Sequence, residues 1–374
     1  MKIVHVCDYY DPKVGGFIVD STKQLAARGH EVVIFTSNVA DVYGAPGQLP
    51  EGITVRHFGG RKFGERAVYP GLFPALLKEK CDVVHAYGLG FFSGFAAGYV
   101  RLVKTGTPLV LRADFSIYER PDLKRKLFHL FWRKVPLATA DRVTVHMKLM
   151  KELLQKNYGV DPYKVDILSH GIDFESFEKC KEKPGLNLGG KFTILNVSRA
   201  DKWKDPLKII RALPELKSVC KDFVFVHIGP YYDKAYYSEM KSAIAALGLS
   251  ENVILQGEMK HEDIIKFYKS ADVYVQSSVE ESFCLSTLEA MAAGLPVIAT
   301  KTGAIGYEWF ENYDYWFSTP DELGKKLAFL YGNDRERKEL GQRLKAIAKT
   351  YDWKENIKNV ERIYEKSIER LSNR

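Results

Sequence analysis

Two carboxylates flank the start of a predicted helix in the second half of the chain. Glu281 precedes a helix that should begin near Ser282–Leu285, Glu289 lies about one turn inside it, and Gly294 ends it. The first turn of a helix presents unpaired N–H groups and the positive end of the helix dipole, so it suits a diphosphate. A carboxylate at a helix start is also an ordinary capping residue, which leaves Glu281 with two interpretations when it is considered alone.

Two cations follow the predicted strand Phe192–Val197. Arg199 and Lys204 lie on one loop at the carboxyl end of that strand. An arginine binds phosphate as a planar fork and a lysine binds it as a point charge, so the pair suits a diphosphate. The alternative is that both are solvated surface charges.

A glycine pair, Gly15-Gly16, separates the predicted strand Lys2–Cys7 from the predicted helix Phe17–Arg28. Glycines at this position let the backbone approach a ligand closely, at the sheet edge where nucleotides usually bind. A tight turn without a ligand would also explain them. The pattern Gly-x-Gly-x-x-Gly is absent, which argues against a dinucleotide-binding fold of the dehydrogenase type.

Alternating strands and helices must position these residues. Further strands are predicted at Thr54–Arg56, Asp82–Gly88, Pro108–Leu111, Arg142–Val145, Val165–Leu168, Phe223–Ile228, Val253–Leu255, Ala271–Gln276 and Val297–Thr300, and further helices at Gly71–Lys80, Asp122–Lys134 and Met147–Lys156. Such alternation implies parallel sheets covered by helices on both faces. The chain of 374 residues is too long for one ordinary core, so we expect two domains of about 150–200 residues each.

Glu281 and Glu289 are separated by seven residues, with Phe283 between them and Glu-Ala-Met-Ala-Ala-Gly-Leu-Pro following. This stretch resembles the donor-binding signature of glycosyltransferase family 4. Arg199 with Lys204 five residues later resembles the family's phosphate-binding pair. The resemblance runs from Lys2 to about Tyr364 and covers nearly the whole chain.

The resemblance implies the α/β GT-B fold, in which two Rossmann-like domains with parallel sheets face each other across a cleft. It implies 1–173 as the acceptor-binding domain, 174–190 as a linker, 191–350 as the nucleotide-sugar-binding domain, and 351–374 as a closing helix that packs back toward the first domain. It also implies a hexosyltransferase-type enzyme that retains the configuration at the anomeric carbon and requires no metal. The absence of an Asp-x-Asp triplet agrees with that last point.

The resemblance also assigns site residues. The donor, a sugar linked to UDP, GDP or ADP, is expected to contact Gly15, Gly16, Arg199, Lys204, Gly257, Glu258, Met259, Phe283, Cys284, Leu285, Ser286 and Glu289. Glu281 and Asp114 are the expected catalytic residues, and the backbone around Gly257–Met259 is expected to face the nucleobase. The acceptor is expected to be a sugar or a lipid-linked molecule, or a polysaccharide precursor.

Four departures from the family pattern leave an alternative function open. Many relatives carry a histidine at the position of Asp114, and Asp114 has the competing interpretation of a structural partner of Arg112. The family usually has glycine at the position of Asp205, and Ser282 and Cys284 also depart from its pattern. The alternative is therefore a nucleotide-sugar-binding protein of the same fold with impaired catalysis. His85 and His170 are further candidates for the cleft, and neither is assigned.

Composition indicates an ordinary globular protein. Its five cysteines form no Cys-x-x-Cys pair, so we predict neither a disulfide framework nor a zinc site, and no cofactor. The longest nearly apolar run, Gly88–Val100, is too short to span a bilayer, and Met1–Cys7 lacks a signal-peptide pattern. We therefore expect a cytoplasmic protein.

The positive charge is concentrated in residues 101–160, where 13 Lys and Arg against 5 Asp and Glu give 13 − 5 = +8, equal to the net charge of the whole chain. The basic, aromatic helix Leu123–Lys134 and the basic stretch Arg56–Arg66 predict peripheral binding to an anionic membrane on its inner face. The alternative is that the apolar side of the helix packs on the sheet and its cations are solvated. No nucleic-acid-binding motif accompanies the charge, so nucleic acid is not an expected partner.

Overall fold

The computed structural model describes residues 1–12, 16–39, 49, 51–63, 66–114, 132–186, 188–310 and 312–372. The chain divides into two units. Met1–Gly171 and Trp353–Arg374 form unit 1, and Ile172–Asp352 forms unit 2.

Unit 1 is built on a sheet of seven parallel strands in the order β3-β2-β1-β6-β7-β8-β9. The strands of the unit are β1 Lys2–Val6, β2 Glu31–Ser37, β3 Ile53–Phe58, the hairpin β4 Arg61–Phe63 and β5 Arg66–Val68, β6 Val83–Tyr87, β7 Leu109–Arg112, β8 Arg142–Val145 and β9 Val165–Ile167. The inner strands are almost continuously apolar because helices cover both faces of the sheet. In β6, for example, all five residues are buried.

The helices of unit 1 are α1 Phe17–Ala27, α2 Leu72–Lys78, α3 Phe92–Val103, α4 over residues 132–139 and α5 Lys148–Tyr158, together with the last helix of the chain, α13 Trp353–Ser372. Helix α13 packs on α1, where Glu361 Oε1 lies 2.7 Å from Arg28 Nε and 2.9 Å from His30 Nε2. Helix α13, at the end of the chain, is therefore part of unit 1 together with the first strands and helices.

Unit 2 has five parallel strands in the order β12-β11-β10-β13-β14. They are β10 Phe192–Val197, β11 Phe223–Ile228, β12 Val253–Gln256, β13 Val273–Gln276 and β14 Val297–Ala299. The helices are α6 Phe174–Lys179, α7 Pro206–Val219, α8 Lys234–Ala246, α9 His261–Ser270, α10 Leu285–Ala293, α11 Pro320–Gly332 and α12 Asp334–Lys349. The carboxyl ends of all five strands share one edge of this sheet, where the loops that carry most of the predicted site residues meet.

The polar segment 174–190, predicted as a linker, opens with helix α6. Asp173 caps this helix by accepting a hydrogen bond from Ser176 N at 3.3 Å, and Phe174 and Phe177 are buried. Just before it, a Cβ on Gly171 would come within 2.5 Å of the Trp353 indole. Only glycine fits at that position.

Candidate active site

Glu281 and Lys204 form one charge pair at the carboxyl edge of the unit 2 sheet. Lys204 Nζ lies 2.5 Å from Glu281 Oε1, and the Ser278 hydroxyl donates to the same oxygen at 2.8 Å. The Glu281 side chain is only 8% exposed, so the lysine compensates a carboxylate that has lost most of its water. The structure thus joins two residues that the sequence placed on separate loops.

Helix α10 begins beside this pair, at Leu285, within the range predicted for its start. Its capping residue, Cys284, adopts a left-handed conformation with φ of 77°. The Cys284 sulfur lies 2.9 Å from Thr287 Oγ1, and burial raises the pKa of the thiol to about 11. The thiol therefore stays protonated at neutral pH. Ser286, one residue into the helix, has its hydroxyl oxygen 2.9 Å from the Tyr274 hydroxyl.

Gly303 fixes the loop between Glu281 and helix α10, although the sequence did not identify it as a site residue. A Cβ on Gly303 would lie 2.8 Å from Glu281 Cβ and 3.3 Å from the Phe283 carbonyl oxygen. Phe283 is 2% exposed and its ring packs edge-on against Trp309, so this residue, predicted to contact the donor, lies in the core of unit 2. The only sequence feature that could have identified Gly303 is the position of a glycine shortly after β14.

The loop that carries the two cations is organised by Asp201. Its Oδ1 accepts hydrogen bonds from the N–H groups of Trp203 and Lys204 at 3.0 and 2.9 Å, and its Oδ2 lies 3.0 Å from Arg199 Nε. Arg199 is half-exposed at 52%, whereas Lys204 is 24% exposed. Arg199 therefore keeps most of its guanidinium available to solvent or to an anion.

Asp205 departs from the family's glycine yet keeps a glycine-like backbone. It caps helix α7 with a φ of 45°, in the left-handed region, which aspartate tolerates better than most residues. The Tyr236 hydroxyl donates to Asp205 Oδ1 at 3.0 Å. Asp205 and Cys284 are the two non-glycine residues with positive φ in the described part of the chain, and both cap helices at this edge.

The loops after β11 and β12 are joined through their backbones. Gly229 N donates to the Gly257 carbonyl at 3.0 Å, and a Cβ on Gly229 would lie 1.9 Å from the Ser198 carbonyl oxygen. After Gly257, Glu258 is exposed and Met259 is partly buried. Gly257, Glu258 and Met259 thus lie at the same edge as the cations.

Glu289 lies in the second turn of α10 and contacts His261, the first residue of α9. The His261 Nε2 and Glu289 Oε1 atoms are 2.7 Å apart, and the glutamate side chain is 18% exposed. Burial raises the pKa of Tyr268 well above its ordinary value, and the charge of Glu289 adds to this effect. The sequence did not single out His261.

Asp114 lies after β7 at the carboxyl edge of the unit 1 sheet, and it does pair with Arg112. Arg112 is fully buried and donates from Nε to both carboxylate oxygens of Asp114 at 3.1 and 3.0 Å. The guanidinium carbon of Arg112 lies 3.7 Å from the centroid of the Phe17 ring. The Asp114 side chain remains 43% exposed, so its pairing with Arg112 leaves it accessible to a ligand.

His146, at the end of β8, is a second partner of Asp114 that the sequence did not identify. Its Nδ1 lies 3.2 Å from Asp114 Oδ1. Partial burial acts to raise the pKa of Asp114, but the Arg112 charge and the hydrogen bond with His146 outweigh it and hold that pKa well below its usual range. At the position where the family pattern predicts a histidine, this chain therefore has an ionised carboxylate with an imidazole beside it. The sequence feature that could have identified His146 is its position directly after a buried strand.

The two histidines left unassigned by the sequence, His170 and His85, differ in position. The His170 ring centroid lies 5.8 Å from that of His146, at the same edge as Asp114. His85 lies inside β6, is fully buried, and has its Nδ1 2.7 Å from the Tyr364 hydroxyl of α13. His85 is therefore a core residue of unit 1.

Some of the predicted residues lie outside the described ranges. Gly15 is one of them, whereas Gly16 starts helix α1 with φ of 137°, a conformation that favours glycine. The predicted basic helix Leu123–Lys134 is described only from residue 132 onward. In the basic stretch 56–66, Arg56 pairs with Glu79 at 2.6 Å. None of the helices in the described ranges is both long and apolar enough to cross a bilayer.

Comparison with known proteins adds family information to this geometry. Residues 177–366 match the family model described as "Glycosyl transferases group 1", and residues 14–176 match that of "Glycosyltransferase Family 4". A D-inositol 3-phosphate glycosyltransferase of Mycobacterium sp. (strain KMS) is 29% identical over 311 residues, which cover 77% of this chain and 70% of the relative. A phosphatidylinositol N-acetylglucosaminyltransferase component of Arabidopsis thaliana is 23% identical over 393 residues, which cover 100% of this chain and 83% of the relative.

Solved structures show the same fold. The crystal structure of Anabaena HepE in complex with UDP superposes with a TM-score of 0.77 at 18% identity, covering 98% of this chain and 100% of that one. Sucrose-phosphate synthase from Thermosynechococcus elongatus gives a TM-score of 0.74 at 17% identity, covering 98% of each chain. The predicted GT-B fold, with two Rossmann-like units, is confirmed.

Proposed function

Because this chain belongs to the glycosyl transferases of group 1, we propose that it transfers a sugar from a nucleotide-sugar donor to an acceptor hydroxyl, with retention of configuration and without a bound metal. Unit 2 binds the donor and unit 1 binds the acceptor. The reaction breaks the bond between the anomeric carbon and the diphosphate, which leaves with the electron pair, and forms a bond from that carbon to the acceptor oxygen, whose proton passes to the departing diphosphate.

The pair of Lys204 and Glu281 at the start of α10 is the observation that carries this proposal. Lys204 Nζ is 2.5 Å from a carboxylate that is 8% exposed, next to a helix start whose N–H groups suit an anion. When a diphosphate binds there, Lys204 and the half-exposed Arg199 offset the charge that grows on it as the sugar bond breaks. Glu281 then holds Lys204 in position beside the reacting sugar.

Glu289 accepts hydrogen bonds from the donor ribose in this proposal. Its carboxylate is partly buried in the second turn of α10. Hydrogen bonds to a charged group contribute about 1.5–3 kcal/mol, so Glu289→Ala should weaken donor binding by about tenfold to a hundredfold. The backbone of Gly257–Met259 contacts the base.

Asp114 orients an acceptor or donor-sugar hydroxyl. Its pKa lies well below the usual range, so the carboxylate is a weak base at neutral pH but a permanent hydrogen-bond acceptor. Its 43% exposure leaves an oxygen available for that purpose. Arg112 and His146 keep the carboxylate in one orientation.

We also propose that the acceptor hydroxyl belongs to a lipid-linked headgroup and that unit 1 binds anionic membranes. The name of the mycobacterial relative contains D-inositol 3-phosphate, and that of the Arabidopsis relative contains phosphatidylinositol. On unit 1, Leu77 of α2 and Val103 of α3 are 47% and 71% exposed, and Lys104 Nζ bonds the Leu76 carbonyl at 2.9 Å, which holds these two helix ends together. Exposed apolar side chains close to a basic residue suit a membrane surface.

The donor proposal is tested first by the melting temperature of the protein with UDP-glucose, GDP-mannose or ADP-glucose. A ligand that binds only the folded protein raises the melting temperature according to its affinity. The nucleotide-sugar that stabilises the protein is then used with candidate acceptors, and the anomeric configuration of the product is read by NMR. If no nucleotide-sugar shifts the melting temperature, or if a chelator abolishes transfer, the corresponding part of the proposal is wrong.

The membrane proposal is tested by co-sedimentation with anionic and with neutral vesicles at low and high salt. We expect pelleting with anionic vesicles at low salt only, and a Leu77→Glu/Val103→Glu variant should remain in the supernatant. Equal recovery in the supernatant under all conditions would indicate a soluble acceptor.

A further inference from the structure

His261 links the two parts of unit 2 that are proposed to contact the nucleoside. It is the first residue of α9 and follows directly after the loop Gly257–Lys260, which is proposed to contact the base. Its Nε2 lies 2.7 Å from Glu289 Oε1, on the carboxylate proposed to bind the ribose. Neither the family signature nor the assigned donor residues include this histidine.

Glu289 needs a fixed orientation if it is to accept two neighbouring ribose hydroxyls. Its side chain has three rotatable bonds, and a free carboxylate loses conformational entropy when a ligand orders it. A hydrogen bond from an imidazole Nε2–H occupies only one of the four or so lone-pair positions of a carboxylate, so acceptor sites remain for a ribose diol. A carboxylate that is already held loses less entropy on binding.

Neighbouring side chains support His261 in its contact with Glu289. The His261 ring packs edge-on against Phe177 of α6 at 6.5 Å, and Phe177 in turn contacts Tyr268 at 6.0 Å. Phe177 is fully buried. One side of the exposed imidazole is thus supported by the core, although 59% of its surface remains accessible.

We propose that His261 is a positioning residue for ribose recognition. It holds the Glu289 carboxylate in the orientation that binds the 2′- and 3′-hydroxyls of a nucleoside diphosphate, and it lies next to the loop that is proposed to contact the base. This inference rests on the proposed function, since it requires Glu289 to be the ribose acceptor. It adds a residue that discriminates nucleotides by their ribose hydroxyls.

The test compares binding of UDP and of 2′,3′-dideoxyuridine 5′-diphosphate by isothermal titration calorimetry. His261→Ala should weaken UDP binding about tenfold and leave the dideoxy compound unaffected, because the dideoxy compound has no hydroxyl for Glu289. His261→Gln, whose amide can donate from a similar position, should recover most of the lost UDP affinity. Glu262→Ala, an exposed residue in the same helical turn, is the matched control and should bind both compounds like the wild type.

Three outcomes overturn the inference: unchanged UDP affinity in His261→Ala, an equal loss for both compounds, or tighter UDP binding, which would mean that His261 competes with the ribose. Glu289→Ala separates this failure from failure of the proposed function. If Glu289→Ala removes the preference for UDP over the dideoxy compound and His261→Ala does not, only the role of His261 is wrong. If wild-type protein binds both compounds equally, Glu289 does not bind the ribose and both proposals fail at this point.

Discussion

The two sheets present ionised groups at their carboxyl edges, but they hold those groups differently. In unit 1 the cation is buried: Arg112 has no exposed surface and stacks on Phe17, while its partner Asp114 is 43% exposed. In unit 2 the carboxylate is the buried member, since Glu281 is 8% exposed and Lys204 is 24% exposed. The group accessible to a ligand is therefore an anion in unit 1 and a cation in unit 2.

This difference fits the two proposed substrates. A neutral hydroxyl is bound well by a carboxylate, whereas a diphosphate requires cations and N–H groups. In each unit the buried partner of opposite charge holds the accessible group in one orientation through an ion pair. The same fold thus provides two surfaces of opposite charge, because the buried member of the ion pair is the cation in unit 1 and the carboxylate in unit 2.

Acidification should affect the stability of the two units unequally, and this is the largest effect we expect. Burial lowers the pKa of His5 to about 3 and the pKa values of His85 and His170 well below the ordinary range, all in unit 1, and lowers that of His227 in unit 2 to about 4. Such histidines bind a proton only on unfolding, so stability falls as the pH drops below about 6.5. A histidine whose pKa in the folded protein is about 3, such as His5, should remove about 2 kcal/mol between pH 7 and pH 5, and unit 1, which holds three of these four histidines, should lose more stability than unit 2.

Hydrogen exchange at pH 7 and pH 5, corrected for the intrinsic exchange rate, measures this difference. We expect strands β1 and β6 to lose more protection than β10 and β11. Each unit also contains one largely buried carboxyl with a raised pKa, Asp8 in unit 1 and Asp272 in unit 2, so these groups oppose the trend in both units. An equal loss of protection in both sheets would contradict the prediction.

Removing the accessible cations of unit 2 should reduce catalysis. Lys204→Ala and Arg199→Ala should each lower kcat by about a hundredfold or more, because both offset charge on the departing diphosphate. Affinity for free nucleoside diphosphate should also fall. Arg211→Ala, which removes a 55% exposed cation in the middle of α7, serves as the control and should retain wild-type kinetics. Unchanged kcat in a folded Lys204→Ala variant would refute the role of the pair.

Neutralising the accessible anion of unit 1 should affect transfer but spare donor binding. Asp114→Asn should lower kcat by about tenfold to a hundredfold, with little change in donor affinity. It should also lower stability, because Arg112 keeps a buried charge without a full counterion. Melting temperature, donor affinity and specific activity of the folded fraction should be measured on the same preparation. Reduced stability with normal specific activity would mean that Asp114 serves only the fold.

The smallest effect concerns the two left-handed helix caps of unit 2. Asp205→Ala and Asp205→Gly both remove the bond from Tyr236, but only alanine retains the cost of a positive φ. Thermal unfolding should show the glycine variant to be more stable than the alanine variant by about 1 kcal/mol. The same order should hold at Cys284. If the alanine variants are the more stable ones, the positive φ values do not strain these two backbones.

The sequence predicted the elements of both sheets well. Strands Phe192–Val197, Phe223–Ile228 and Arg142–Val145 were expected with the bounds that the structure has. Short runs rich in β-branched and apolar residues between polar loops determine such strands locally, because both faces of a parallel sheet are buried. The hairpin β4–β5 and the helix at the opening of segment 174–190 were not predicted; in the latter, two buried phenylalanines and an Asp173 cap make a helix in a mostly polar stretch.

The sequence by itself determined which residues are candidates for the chemistry, and the tertiary structure decided how they are paired. Glu281 and Lys204 were singled out from their types and their places at a helix start and after a strand, whereas Glu289 and Asp114 were assigned through the resemblance to glycosyltransferase family 4. The two members of each pair are far apart along the chain: 77 residues for Lys204 and Glu281, 28 for His261 and Glu289, and 32 for Asp114 and His146. Such pairs depend on which loops meet at a sheet edge and on which side chain is desolvated there, and local sequence patterns specify neither.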